Sequence, residues 1–472
     1  MLHLDPPTRT AVFARVVEAI EEYINGVASA PVTPEMAPEE IRAALRRYTF
    51  ESPVEPLAAV DAVVENLWRF QTHTPHPRYF GLFNPAPALM GIAGDALAAA
   101  FNPQIAAWAH SPFAAEVEAH LVRAFGARLG YDPDTADGVF CSGGAEANHT
   151  AMLTALTHQF PEFGERGARG LTAPPVCYVS AEGHHSFLKA ARLCGLGSEA
   201  LRAVAVDERL LLDAGSLTER IKTDRGEGLA PFLLVGTAGT TNAGVVDPLK
   251  RLAEIARAER LWYHVDAAWG GAAALSPRLR GLLAGIEAAD SITFDAHKWL
   301  SAPMGAGVYL TRHPEILTRT FATPTAYMPR DARGLDVTDP HLHSMQWSRR
   351  FIGLKVFLAL LVAGWDGYAV VVDRMTDMGD MLRRLLEEDG WEIVNATPLP
   401  VVCFADPRLP DPEPVAREVV RSGDAWISTT RLRGRAVIRA CITNYRTGED
   451  DIVALVTSLR RARAACLGGG AA

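Results

Sequence analysis

The chain has 472 residues, 49% of them hydrophobic, which is ample apolar mass for a large core and suggests roughly two or three domains. Net charge is -9 with no basic tract, which argues against nucleic acid as a partner. Six cysteines (Cys141, Cys177, Cys194, Cys403, Cys441 and Cys466) lack CxxC spacing, and several lie in apolar stretches; they read as reduced, buried thiols of a cytoplasmic protein. The start, with Asp5, Pro6 and Pro7, lacks a signal pattern, and no uninterrupted apolar run is long enough to span a bilayer, so no membrane partner is expected.

Residues 9–26 have helical apolar spacing, and further helix starts follow at Thr33-Pro and Ser52-Pro. This helical segment is too small to be stable alone and is expected to pack on something, a second subunit included. His76 to Pro85 is a dense aromatic and proline loop that reads as a connector or a pocket wall. Helices are expected over 88–101 and from Phe113 to Arg128. From Asp137 onward, strands alternate with helices: Gly138–Cys141, Val176–Ser180, Leu201–Val206, Phe232–Gly236, Leu261–Val265, Ser291–Phe294 and Val308–Leu310. That alternation predicts an α/β fold with a mainly parallel sheet covered on both faces and ligands at the carboxyl ends of its strands. A long apolar helix is expected from Arg350 towards Gly364. After it, helix Asp377–Glu388, strands Val401–Phe404, Ala425–Thr429 and Ala436–Ile442, and closing helix Asp450–Ala464 form an α+β module.

Chemistry-bearing residues cluster at the strand ends. Lys298 ends the Ser291–Phe294 strand beside His297 and Trp299, where a lysine is costly to bury unless it is neutralised or used covalently; a Schiff base with an aldehyde cofactor does both. Gly143 and Gly144 form a strand–helix turn whose free N–H groups suit a phosphate, although the turn lacks P-loop and dinucleotide spacing. Asp266 ends an apolar strand and needs a cationic partner such as a protonated pyridine nitrogen, and Ala268 is small enough to lie against a flat ring. In His184-His185-Ser186 an imidazole can stack on an aromatic ring. Adjacent histidines without a third ligand make a poor metal site, as does His341-Leu-His343. The hydroxyls of Thr237 to Asn242 suit a carboxylate or ring oxygen.

Between about His76 and Thr447 the chain resembles the group II pyridoxal-phosphate-dependent amino acid decarboxylases, with Asp-x-Ala and His-Lys-Trp the most specific pieces. The resemblance implies an aspartate-aminotransferase-like fold (fold type I) with a seven-stranded sheet. It implies a helical segment over 1–85 packing on the partner of a homodimer, a cofactor-binding domain over 86–370 and a small domain over 371–472. It implies pyridoxal 5'-phosphate on Lys298, Asp266 at the pyridine nitrogen, Ala268 on one ring face and His185 stacked on the other. Gly143, Gly144 and His297 fall at the phosphate, and Thr241 near the cofactor and substrate carboxylate. Phe321 to Pro329 resembles the start of the family's mobile catalytic loop. Tyr327 falls on its tyrosine, the acid that reprotonates Cα, and the charged run Arg330 to Pro340 suits a lid. The activity implied is decarboxylation of an L-amino acid, with an aromatic or similarly bulky side chain favoured by Trp299. A transaminase, a lyase or an aldehyde-forming oxidase on the same scaffold is the alternative. Asp295 stands where aromatic decarboxylases carry Asn, and Ser301 to Gly307 departs from their usual continuation.

Overall fold

The computed structural model describes residues 2–323, 325–328 and 334–468. Of the expected lid, residues 329–333 lie outside the described part, as do Pro324 and the tail at 469–472.

All seven expected strands form one sheet: β1 (Asp137–Cys141), β2 (Pro175–Ser180), β3 (Leu201–Val204), β4 (Ala230–Thr237), β5 (Trp262–Asp266), β6 (Ser291–Asp295) and β7 (Gly307–Thr311). The order is β1-β7-β6-β5-β4-β2-β3. β7 runs antiparallel to both neighbours and the remaining pairs are parallel. Both faces are buried, so alternate residues feed two cores. Along β2, Val176 and Tyr178 enter one cluster, while Cys177 and Val179 enter the other with helix Gly144–Gln159.

The N-terminal helices Pro6–Gly26, Pro38–Arg46 and Pro56–Arg69 precede helices Leu89–Phe101 and Pro112–Arg128. Asp5 and Glu55 cap the first and third of them, accepting from the amides of Thr8 and Ala58. The loop His76–Pro85 lies along the C-terminal module, where Phe80 N–H donates to Trp426 O at 2.8 Å and Cys441 N–H to Phe80 O at 2.8 Å. That module is a four-stranded antiparallel sheet in the order β10-β11-β9-β8, formed from β8 (Glu392–Ile393), β9 (Val401–Ala405), β10 (Ser428–Leu432) and β11 (Arg435–Cys441). The two-residue β8 carries too little pattern to be read from sequence, and β10 starts three residues later than expected.

Two apolar stretches expected as separate helices are one element, Gly353–Glu388, broken at Gly364 (φ 61°). Only glycine takes that left-handed conformation freely, so the chain bends there and resumes its helix. This helix runs through residue 370, where a domain boundary was expected. Among the described residues it is the one helix long and apolar enough to cross a membrane, a match that a run of uninterrupted apolar residues does not reveal. In the fold its Val356, Ala359, Val372 and Met375 are core residues.

Candidate active site

β6 delivers Asp295 at its end and then turns through Ala296, His297 and Lys298. Lys298 N–H closes the turn on Asp295 O at 3.1 Å. The same two side chains meet, with Lys298 Nζ 3.1 Å from Asp295 Oδ2. The Asp295 side chain is 1% exposed, and its Oδ1 has no hydrogen-bond partner. His297 Nε2 lies 3.8 Å from Asp295 Oδ2, and its Nδ1 accepts from Ala306 N–H at 3.2 Å. Burial holds this imidazole below its ordinary pKa, with Asp295 pulling it up and Lys298 pushing it down.

β1 ends at Cys141, and the turn Ser142-Gly143-Gly144 starts helix Gly144–Gln159. The first-turn amides of a helix have no helical acceptor and face outward. A Cβ on Gly144 would stand 2.8 Å from Asp295 Oδ2, and one on Gly307 would stand 2.6 Å from the Gly143 backbone. Glycine is therefore required where the turn, β7 and the Lys298 segment converge, and the result is a cradle of backbone amides beside a lysine. A phosphate would find backbone N–H donors and the Lys298 ammonium there, whereas the Asp295 carboxylate beside them only accepts and would hold the lysine, not the phosphate.

β5, next to β6, ends on Asp266, buried at 5% exposure. Its Oδ2 accepts from Asn148 Nδ2 at 2.9 Å and its Oδ1 from Ala268 N–H at 3.1 Å. Ala268 O accepts from Asp295 N–H at 2.9 Å, which ties the Asp266 turn to the Lys298 turn. Of the two histidines after β2, the sequence points to His185, and the structure brings His184 within reach of the charges of Asp266, Asp295 and Lys298. Solvent reaches the His184 ring, yet surrounding atoms desolvate it and lower its pKa; Asp266 and Asp295 pull it up, and Lys298 and His185 push it down. His185 is exposed at the start of helix Ser186–Leu193.

Two residues enter that sequence reading did not name. Phe83, from the aromatic loop, stacks on Trp269 with centroids 4.5 Å apart. Its ring also has Lys298 Nζ 6.0 Å and Arg439 Cζ 5.2 Å from its centroid. Arg439, on β11, is 3% exposed. Its Nε donates to Thr241 O at 2.9 Å and its Nη1 to Gly81 O at 2.7 Å, while its buried Nη2 has no partner. Thr241 is thus fixed by its carbonyl, at the seam between the two sheets. Arg439 lies about 140 residues from Lys298 in sequence, and an arginine in a strand of alternating pattern gives no local signal. Tyr327 does not join this group in the protomer: it is 76% exposed and contacts Trp347, with centroids 6.1 Å apart.

A mainly parallel sheet with a glycine cradle, a strand-end aspartate and a lysine converging at its carboxyl edge defines a pyridoxal-phosphate-dependent enzyme. The chain belongs to the pyridoxal-dependent decarboxylases, whose conserved domain matches residues 38–406. It is 29% identical over 458 residues to an aromatic-L-amino-acid decarboxylase of Bacillus atrophaeus, covering 94% of this chain and 93% of that one. It is 32% identical over 406 residues to the cysteine sulfinic acid decarboxylase of Homo sapiens, covering 84% and 80%. The crystal structure of Oryza sativa TDC with PLP and tryptamine superposes with a TM-score of 0.92 at 25% identity, over 98% of this chain and 99% of that one. The protein is an enzyme of this family, and pyridoxal 5'-phosphate is its cofactor.

Proposed function

We propose that this enzyme removes CO2 from an L-amino acid with an aromatic or similarly bulky side chain, releasing the amine. The observation that carries this reading is the pairing of adjacent strand ends, with Asp266 closing β5 and Asp295 and Lys298 closing β6 beside the glycine cradle. Pyridoxal phosphate supplies a ring that draws electrons from Cα and so stabilises the charge left when CO2 departs. Lys298 would be the amine that holds the cofactor through its aldehyde. Asp266 would keep a proton on the ring nitrogen. His184, in place of its neighbour His185, would lie against one face of the ring and Ala268 against the other. Gly143, Gly144 and His297 would surround the phosphate. Arg439 Nη2, a buried cation with an unused donor beside Thr241, orients the substrate carboxylate. The Phe83–Trp269 stack offers an apolar wall and favours a large flat side chain over an acidic one.

Tyr327, exposed in one protomer, completes the site as the proton donor to Cα when two copies assemble. A homodimer is supported by an unfilled apolar groove of about 630 Å³ lined by Val16, Ile20, Leu67, Trp68 and Leu89, and by exposed Phe13, Phe101 and Phe113. All six cysteines are free, which suits a reducing compartment such as the cytoplasm. The test is a panel of L-amino acids assayed for CO2 and amine. A keto acid without CO2 would replace this reading with transamination, and turnover confined to cysteine sulfinate or glutamate would overturn the aromatic preference.

A further inference from the structure

β5 and β6 carry an alternation that their apolar character hides. Trp262, His264 and Asp266 share one face of the sheet with Ser291 and Thr293, while Tyr263, Val265, Ile292 and Phe294 share the other. The polar stripe is buried, with His264, Ser291 and Thr293 all at 0% exposure. Helix Gly144–Gln159 covers it and presents Asn148, itself 1% exposed.

Each member of the stripe has partners. Trp262 Nε1–H donates to Ser291 Oγ at 2.9 Å, and Ser291 Oγ lies 2.8 Å from His264 Nδ1. His264 Nε2 lies 3.3 Å from Asn148 Oδ1, which also accepts from Thr293 Oγ1 at 2.6 Å. Asn148 Nδ2 donates both its hydrogens, to Asp266 Oδ2 at 2.9 Å and to Ser186 Oγ at 2.8 Å.

The donor inventory fixes the direction of the bonds around Asn148 and points to one tautomer of His264. A carboxylate only accepts, so the Asn148 amide nitrogen faces Asp266 and its oxygen faces His264 and Thr293. Thr293 Oγ1 also lies 3.3 Å from His264 Nε2, but its hydrogen goes to Asn148 Oδ1, so a bare Nε2 would face only lone pairs; Nε2 therefore carries the hydrogen and Nδ1 accepts from Ser291. Indole, hydroxyl, imidazole and amide then all point their hydrogens towards Asp266. Burial pushes the His264 pKa down to about 4, with Asp266 pulling it up, so the ring is neutral and the chain delivers aligned dipoles without a cation.

We propose that Asn148 is the positioning residue of this site: through a one-way hydrogen-bond chain from Trp262, Ser291 and His264 it holds Asp266 as an acceptor aimed at the cofactor's ring nitrogen. The proposal rests on the role given above to Asp266. His264 and His184 are the titratable groups whose electrostatics involve that carboxylate, and Lys298 and Asp295 act on His184 from the turn after β6. They belong to the open site, whereas Asn148 belongs to the core.

The test is Asn148→Leu, which keeps the volume but removes both N–H groups that face Asp266 and Ser186. In the folded holoenzyme kcat should fall about 10- to 100-fold with KM unchanged, the scale of losing a partner behind a charged ligand. The pH at which the bound cofactor's visible absorbance changes should also move. A folded variant with wild-type kcat and a wild-type absorbance titration would overturn the proposal. Asp266→Asn, measured alongside, separates the two ideas: if it turns over normally, the role of Asp266 itself has failed. If Asn148→Leu does not fold, nitrogen NMR of the histidines in the wild-type protein decides. An Nε2–H tautomer of His264 that holds at neutral pH supports the chain, and an Nδ1–H tautomer or an imidazolium overturns it.

Discussion

Lys298 Nζ and Asp295 Oδ2 lie 3.1 Å apart, and the carboxylate is buried while the lysine is 22% exposed. The pair must be broken before Lys298 can bond the cofactor's aldehyde, and an amide at position 295 removes the ionic part of it. Asp295→Asn should therefore reload with cofactor faster than wild type after resolution, by about tenfold if the pair is worth ~1.4 kcal/mol. Stopped-flow absorbance measures this, and equal reloading rates would show that the pair does not limit capture. Lys298→Ala is the control: borohydride should fix cofactor to wild type and not to this variant.

Asp266→Asn should lower kcat by two to three powers of ten or about that order, because the proton on the ring nitrogen loses its counter-charge where charge develops. Cofactor retention, read by absorbance after gel filtration, should survive, since the glycine cradle and Lys298 remain. Near-normal kcat would remove Asp266 from the reaction.

Tyr327→Phe should still release CO2 from the best substrate but shift the product from amine towards aldehyde, ammonia and peroxide, with oxygen consumed. Loss of CO2 needs the electron-withdrawing ring and the orientation of the carboxylate, neither of which Tyr327 supplies. The proton that returns to Cα is what the phenol is placed to give. Parallel assays of amine, aldehyde and oxygen uptake measure the split, and an unchanged amine yield would make Tyr327 a packing residue.

Acid should destabilise the fold between pH 6.5 and about 4. His264 and His76 are both pushed down to about 4 by burial, from an ordinary 6.5. In that window the unfolded chain binds protons that the folded chain refuses, so stability rises with pH there and is lost on acidification. Asp247 works the other way: burial raises it from 3.8 to about 6, so the folded chain holds its proton longer. The two histidines outnumber it, and His73, His149, His158, His184 and His297 are lowered as well. Thermal melting from pH 7 to 4 should show a falling midpoint, flattened in His264→Asn; a midpoint that rises on acidification would contradict the sign.

Sequence was most informative where chemistry and strand ends coincide. The strand run to Phe294 and the dipeptide His297-Lys298 locate the lysine, and the run to Val265 locates Asp266, because an ionisable group closing an apolar run is visible in one dimension. Sequence alone does not separate His184 from His185, because two adjacent imidazoles follow the same strand end. Arg439 was not visible because its partners, Thr241 O and Gly81 O, are backbone atoms from distant segments. The helix through Gly364 was split because a glycine in an apolar run reads as an end, whereas here one left-handed residue bends the helix without stopping it.

Gly307 opens β7 and is register partner to two residues at once, Cys141 on β1 and Asp295 on β6. The cradle and the lysine turn are thus measured from one common origin. Between Lys298 and that origin runs the short stretch Ser301 to Gly307. Its ends are clamped, so drift in its letters leaves the distance from phosphate to lysine untouched. A one-residue slip of β7 itself would change that distance by a whole register step. Substitutions between Ser301 and Ala306 therefore change what this stretch presents without moving the two ends it joins.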